Sequence, residues 1–190
     1  MEIIRNNFIV DDFFKFIDNL SGLSNADDKF EHLANGYNIS PICACYQFCI
    51  LFMILCFVAG EFSGNLSQAD KLWSIVPAVY MWIIFTHPKV DSNPRLLLML
   101  VLVQLWSVRL TCNFIRRGGY SWPPWSGEED YRWEYVRKFW FMKYNILRLI
   151  FLIGFICVYQ HILLLTLVFP AMILTQVTTK NKYMYLLIYL

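Results

Sequence analysis

The sequence predicts an all-α protein, a polytopic membrane helical bundle of about four transmembrane helices, with a short amphipathic N-terminal region and an interfacial helix. Three observations lead there. The 190 residues are 58% hydrophobic and only 16% charged, against roughly 45–50% and about 25% in soluble domains. Formal charge is missing from whole stretches, between Glu31 and Glu61, between Lys71 and Lys89, and between Arg148 and Lys180. Each is long enough to hold much or all of a bilayer-spanning helix, which takes about 17–25 residues. Such a surplus of apolar surface cannot be hidden in one core of this size. A soluble enzyme, a secreted disulfide scaffold and a disordered chain are excluded.

Residues 1–41 form a polar, acidic extension. Within it Val10, Phe13, Phe14, Ile17 and Leu20 keep helical spacing up to Gly22, and Ser24 or Asn25 can cap a second short helix. Residues 42–190 form the transmembrane domain. Its first helix is expected at about 42–60, started by Ser40-Pro41 as N-cap and first helical residue and closed by Gly60. The second is expected at about 72–86, with Pro77 inside it, and the third at about 95–113. A polar, aromatic loop over 114–145 follows. It carries Arg116, Arg117, Arg132, Arg137, Lys138 and Lys143, so the positive-inside rule places it in the cytosol. Within it, Ser126 or Gly127 can start an interfacial helix with Glu128, Glu129 and Asp130 at its positive dipole end. Glu134 and Lys138 stand at favourable i,i+4 spacing there.

The last apolar stretch is too long for one span. Residues 149–179 carry no charge, and that many helical residues would cover about 46 Å against a hydrocarbon core of about 30 Å. Pro170 is expected to end or break the fourth helix, about 146–169, near Phe169. The closing YMYLLIYL starts a membrane element without completing it, and reads as a C-terminal truncation.

Composition and motifs narrow the chemistry. A net charge of +2 argues against a nucleic-acid partner. Cys43, Cys45, Cys49, Cys56, Cys112 and Cys157 lie in or beside apolar segments with no histidine at ligand spacing, so neither a disulfide framework nor a metal site is expected. No GxGxxG, Walker loop, HExxH or CxxC is present. The densest polar information begins at Arg109. At about 100° per residue, Arg109, Asn113 and Arg116 share one helix face, with Arg117 close by and Gly118-Gly119 just after. Guanidiniums, an amide and free backbone N–H groups together suit an anion such as a pyrophosphate. The competing reading has the same arginines snorkelling to the rim of the bilayer. Tyr80 can donate a proton to a lipid carbonyl or only find a hydrogen-bond partner. Gln160-His161 can line a polar path, or the histidine can be a buried one bonded to a neighbouring helix.

Three blocks in order, LWSIVPAVYMW (72–82), NPRLLLMLVLVQLWSVRLTCNFIRRGGYSW (93–122) and EEDYRWEYVRK (128–138), resemble the uncharacterised branch of the steroid 5-alpha-reductase-like superfamily. Isoprenylcysteine methyltransferases belong to the same superfamily. The resemblance implies an integral membrane protein of the endoplasmic reticulum or another endomembrane. It also implies NADPH as cofactor and reduction of a lipid-like or steroid-like enone. Arg109, Asn113, Arg116, Arg117 and Gly118 then bind the cofactor, and Tyr80 is the catalytic proton donor. The superfamily's C-terminal S-R-H-P-N-Y type segment has no counterpart after residue 145, so the 190-residue chain is expected to be inactive. The alternatives are an S-adenosylmethionine-dependent methyltransferase relative and a non-catalytic membrane fragment.

Overall fold

The computed structural model describes residues 40–91 and 93–175. The two expected N-terminal helices and the YMYLLIYL end lie outside these residues. Helix α1 runs Pro41–Ser63, with Ser40 Oγ accepting the Cys43 N–H at 3.1 Å and Gly64 closing it at φ 64°. The expected start holds, but the end is Gly64 rather than Gly60. Gly60 stays helical because it is a point of close approach, and a Cβ there would stand 3.4 Å from Leu152 Cδ1.

The second expected helix is not one piece. Short α2, Gln68–Leu72, gives way to a turn, and α3 runs Val76–Thr86. Pro77 sits in the first turn of α3, where its missing N–H costs no hydrogen bond. The 11 residues of α3 reach about 16 Å, half a hydrocarbon core. The long α4, Pro94–Arg116, is capped by Asn93 Oδ1, which accepts the Leu96 N–H at 2.8 Å. It runs three residues past the expected 113, because the first left-handed residue is Gly118, at φ 78°.

The interfacial helix α5 spans Tyr131–Arg137 and begins later than Ser126 or Gly127. Asp130 is its cap, accepting the Arg132 N–H at 3.0 Å, which leaves Glu128 and Glu129 in the preceding loop. Lys138 Nζ donates to Glu134 Oε1 at 2.9 Å, as the spacing predicts.

After a 3₁₀ turn at Trp140–Lys143 comes a continuous rod over Asn145–Thr166. It comprises α6 (Asn145–Phe151), a π-helical stretch (Leu152–Tyr159) and α7 (Gln160–Thr166). The chain turns at Leu167-Val168 and is helical again over 169–175. Pro170 lies in the first turn of this last segment, so the break falls just before it. Among the described residues, α1, α4 and Asn145–Thr166 are long and apolar enough to cross a membrane. Among the described residues these are three, and the second expected helix, interrupted after Leu72, is not one of them.

No strand occurs among the described residues. The main core gathers Cys45 and Cys49 of α1, Tyr80 and Ile84 of α3, Leu96 of α4 and Leu164 of α7. A second cluster seats Trp133 of α5 against Cys56, Ala69, Leu152 and Ile156. Ile54, Leu55 and Val58 on α1, and Leu98, Leu102 and Leu105 on α4, are exposed. Contiguous apolar surface of this kind marks contact with lipid. The protein is an integral membrane protein.

Candidate functional site

At one end of the bundle the segment from Gly64 to Leu72 is laced to the loop and helix over 117–138. Glu129 Oε1 accepts the Leu66 N–H at 2.6 Å and Arg137 Nη2 at 2.8 Å, while the same Nη2 donates to Gly64 O at 2.6 Å. Asn65 Nδ2 donates to Gly127 O at 3.1 Å, and the Asp130 N–H to Ser67 Oγ at 2.8 Å. Gly127, at φ 121°, allows this return. A Cβ there would lie 2.4 Å from Gly119 O, so the two backbones touch.

This lacing forms one wall of a cleft of about 600 Å³. Asn113 and Arg117 come from the end of α4, Asp70 from α2, Trp73 from the turn after it, and Arg132 and Gln160 from α5 and α7. Trp73 Nε1 donates to Gln160 Oε1 at 2.9 Å, and the Ser74 and Thr111 hydroxyls are 2.7 Å apart. Leu110, Val136, Phe155 and Leu163 supply apolar lining. One cavity thus combines a charged part with a greasy part.

Its two carboxylates titrate in opposite directions. Burial pushes the Asp70 carboxyl above the usual range, opposed by the Trp133 indole, which donates to Oδ2 at 2.6 Å, and by Arg132 at 3.2 Å from Oδ1. Burial also disfavours ionised Asp130. There, hydrogen bonds from the Arg132 side chain at 2.7 Å and backbone at 3.0 Å prevail and hold the carboxyl low.

A second hollow, of about 520 Å³, lies against the outer face of α4 and is lined by Arg109, Leu110, Cys112, Asn113 and Arg116. It shares Leu110 and Asn113 with the cleft, so only that ridge of α4 separates them. Arg116 Nη2 donates to Asn113 Oδ1 at 2.8 Å. Among the described residues, Arg109, Arg116 and Arg117 have no carboxylate within 4 Å. The structure therefore divides the expected anion face, with Arg109 and Arg116 on the hollow, Arg117 on the cleft, and Asn113 on both.

The expected free backbone donors are already used. The Arg117 and Gly119 N–H groups donate to Phe114 O at 3.2 and 3.1 Å, and the Gly118 N–H to Ile115 O at 2.9 Å. Gly118 O in turn accepts the Glu128 N–H at 2.9 Å. The glycines fold the loop back on itself, so their own N–H groups are not free for an anion. Tyr80 lines neither cavity. It is fully buried, its ring edge-on to Phe52 with centroids 6.3 Å apart. His161 is buried too, with Nδ1 2.7 Å from Cys157 O one turn back in its own helical rod. The sequence reading missed Asp70 and Trp73, whereas Gln160, offered with His161 as lining a polar path, does line the cleft. A local signal existed for Asp70, which stands next to Lys71 at the border of the charge-free stretch.

The sequence profile of the family described as "Protein of unknown function (DUF1295)" matches residues 56–189, which contain every residue of both cavities. The chain belongs to the DUF1295 family. Among curated proteins, the DUF1295 chain is similar to the uncharacterized protein C594.04c of Schizosaccharomyces pombe. The two are 33% identical over 111 residues, covering 54% of this chain and 29% of the relative. The DUF1295 chain thus spans about 29% of the length of the curated relative it matches. No solved structure matches it.

Proposed function

We propose that this DUF1295 chain carries part of the site of an NADPH-dependent membrane reductase acting on a lipid-like enone. The observation that supports this reading is the trio of arginines without carboxylate partners beside an amphipathic cleft. Guanidiniums grip phosphates through planar, bidentate hydrogen bonds, and NADPH brings a pyrophosphate and a further phosphate. Arg109, and Arg116 oriented by Asn113, would hold phosphate in the hollow, with Arg117 reaching it from the cleft side. NADPH, when bound, supplies the hydride for a carbon–carbon double bond conjugated to a carbonyl. In the cleft, Phe155, Leu163 and Val136 would exclude water from an apolar substrate. Asp70, whose carboxyl burial pushes up, is better placed than Tyr80 to meet the carbonyl oxygen with a proton. The basic loop over 114–145 would face the cytosol, where NADPH is available, and the membrane would be the endoplasmic reticulum or another endomembrane.

S-adenosylmethionine suits this trio less well. It carries a sulfonium cation and no phosphate, and offers the guanidiniums only its single carboxylate to grip. The purified chain in phosphatidylcholine nanodiscs can be titrated with NADPH, NADH and S-adenosylmethionine while its unfolding temperature is followed. Stabilisation by NADPH, weaker with NADH and lost in the Arg109→Ala/Arg116→Ala variant, is the expected result. Stabilisation by S-adenosylmethionine alone would favour a methyltransferase relative. No response to any of the three would favour a non-catalytic membrane protein.

A further inference from the structure

A third cavity, of about 290 Å³, shares no lining residue with the cleft or the hollow. Leu55, Cys56 and Ala59 of α1, Leu72 and Ile75 of the α2–α3 region, and Trp125 of the loop make it almost wholly apolar. Lys71 is the one cation in its lining. That side chain is only 3% exposed. Its ammonium donates to Ser126 O at 2.5 Å and Pro124 O at 3.3 Å, which takes two of its three N–H bonds. Among the described residues no carboxylate lies within 4 Å of it.

A buried ammonium without a counter-charge is costly. Two carbonyl dipoles soften that cost without neutralising the charge, and burial accordingly holds the Lys71 pKa below its ordinary value. Two of its lining residues, Leu55 and Ile75, are exposed on the apolar surface, so lipid reaches its edge. We infer that this pocket binds the carboxylate end of a fatty acid, with the carboxylate on Lys71 and the first part of the acyl chain between α1 and Trp125. The charge complementarity is specific. One ammonium with one N–H to spare matches a monoanionic carboxylate, whereas a phosphate dianion would need a second cation that the lining does not provide. The volume is at the small end for ligand pockets and leaves the rest of the acyl chain among the bilayer lipids.

The test uses the full chain in phosphatidylcholine nanodiscs and a fatty acid carrying a photoreactive group close to its carboxyl, with crosslinks mapped by mass spectrometry. Labelling is expected on the segments around Leu55–Ala59 and Ile75, and oleate should displace it at least roughly tenfold better than oleyl alcohol, the equivalent of about 1.4 kcal/mol. Lys71→Met should abolish the preference for oleate over the alcohol. Ala59→Leu fills the cavity from α1 without touching the Lys71 hydrogen bonds, and it should abolish labelling; it decides the matter where Lys71→Met does not fold. Equal competition by the alcohol, equal competition by phosphatidic acid, or labelling that survives Ala59→Leu would each overturn the assignment.

Discussion

The Trp133 indole N–H points at Asp70 Oδ2 from 2.6 Å, so the interfacial helix is tied to α2 by a charge-assisted hydrogen bond. The ring that makes this bond is itself buried against Cys56, Leu152 and Ile156. Removing the donor but keeping a ring, as in Trp133→Phe, leaves Asp70 short of a partner and should cost about 1.5–3 kcal/mol. Trp133→Ala adds a cavity and should cost about 3–5 kcal/mol. Cys56 and Cys157 lie in the same cluster, so their reaction with a thiol dye on heating reports its opening. Unchanged melting of Trp133→Phe would show that the hydrogen bond contributes nothing.

The two cleft carboxylates should leave opposite marks on stability as pH changes. Asp130 is held low, so its contribution is complete above the unfolded value of about 3.9 and is lost as pH falls through its folded pKa. Asp70 is pushed up, so the folded state keeps that proton longer than the unfolded state. Its ionisation therefore costs stability as pH rises from about 3.9 through the folded pKa. Asp70→Asn should gain on the native protein across that window, whereas Asp130→Asn should lose. Between pH 4 and 7 the Asp130→Asn melting curve should run parallel to and below the native one, while the Asp70→Asn curve gains on it as pH rises. Parallel curves for Asp70→Asn and the native chain would contradict the assignment.

Gly127→Ala should undock the loop more severely than Gly119→Ala. At 127 the new Cβ meets the Gly119 carbonyl at 2.4 Å and the backbone sits at φ 121°. At 119 it meets the Phe114 ring, which can rotate aside. A cost of about 1–3 kcal/mol from the backbone alone is expected at 127. Limited proteolysis between residues 118 and 130 should be faster in Gly127→Ala than in Gly119→Ala. The reverse order would mean the loop is not held by this backbone contact.

Cys112 is exposed, and the other five cysteines are buried. A maleimide should add to one thiol per folded chain and to six after denaturation in dodecyl sulfate, as counted by intact mass. The reactive thiol also reports sidedness, since Cys112 lies in the last turns of α4 next to the basic loop. Two or more adducts on the folded chain would mean that α1 or the π-helical stretch opens to the reagent.

The start of α1 was legible because capping is local: Ser40-Pro41 places a side-chain acceptor and a residue without an N–H where the helix begins. The start of α5 was not, because Asp130 rather than Ser126 or Gly127 caps it. Helix ends were harder to read. Gly60 and Gly64 look alike in sequence, and what separates them is Leu152, far along the chain. Periodicity placed Arg109, Asn113 and Arg116 on one face, yet it could not show that Asn113 sits on a ridge between two cavities. Asp70, Trp73 and Gln160 meet only through packing between segments nearly ninety residues apart. The loop glycines were read as open to a ligand, whereas their N–H groups close the end of α4.

The π-helical stretch Leu152–Tyr159 sets the rotational phase of everything beyond it. Its wide turns bring residues four apart nearly into line, and the rings of Phe151, Phe155 and Tyr159 form a column with centroids 5.2 and 5.4 Å apart and planes tilted by 19° and 16°. Gln160 follows at once, aimed at Trp73. Gly154 has nothing within 4 Å of where a Cβ would stand, so the segment is unconfined at its centre. Winding the same eight residues at α-helical pitch, about 100° each, would turn the remaining rod, sending Gln160 away from Trp73 and His161 out of the core. The span behaves as a geared shaft, in which the pitch of one stretch sets which teeth meet.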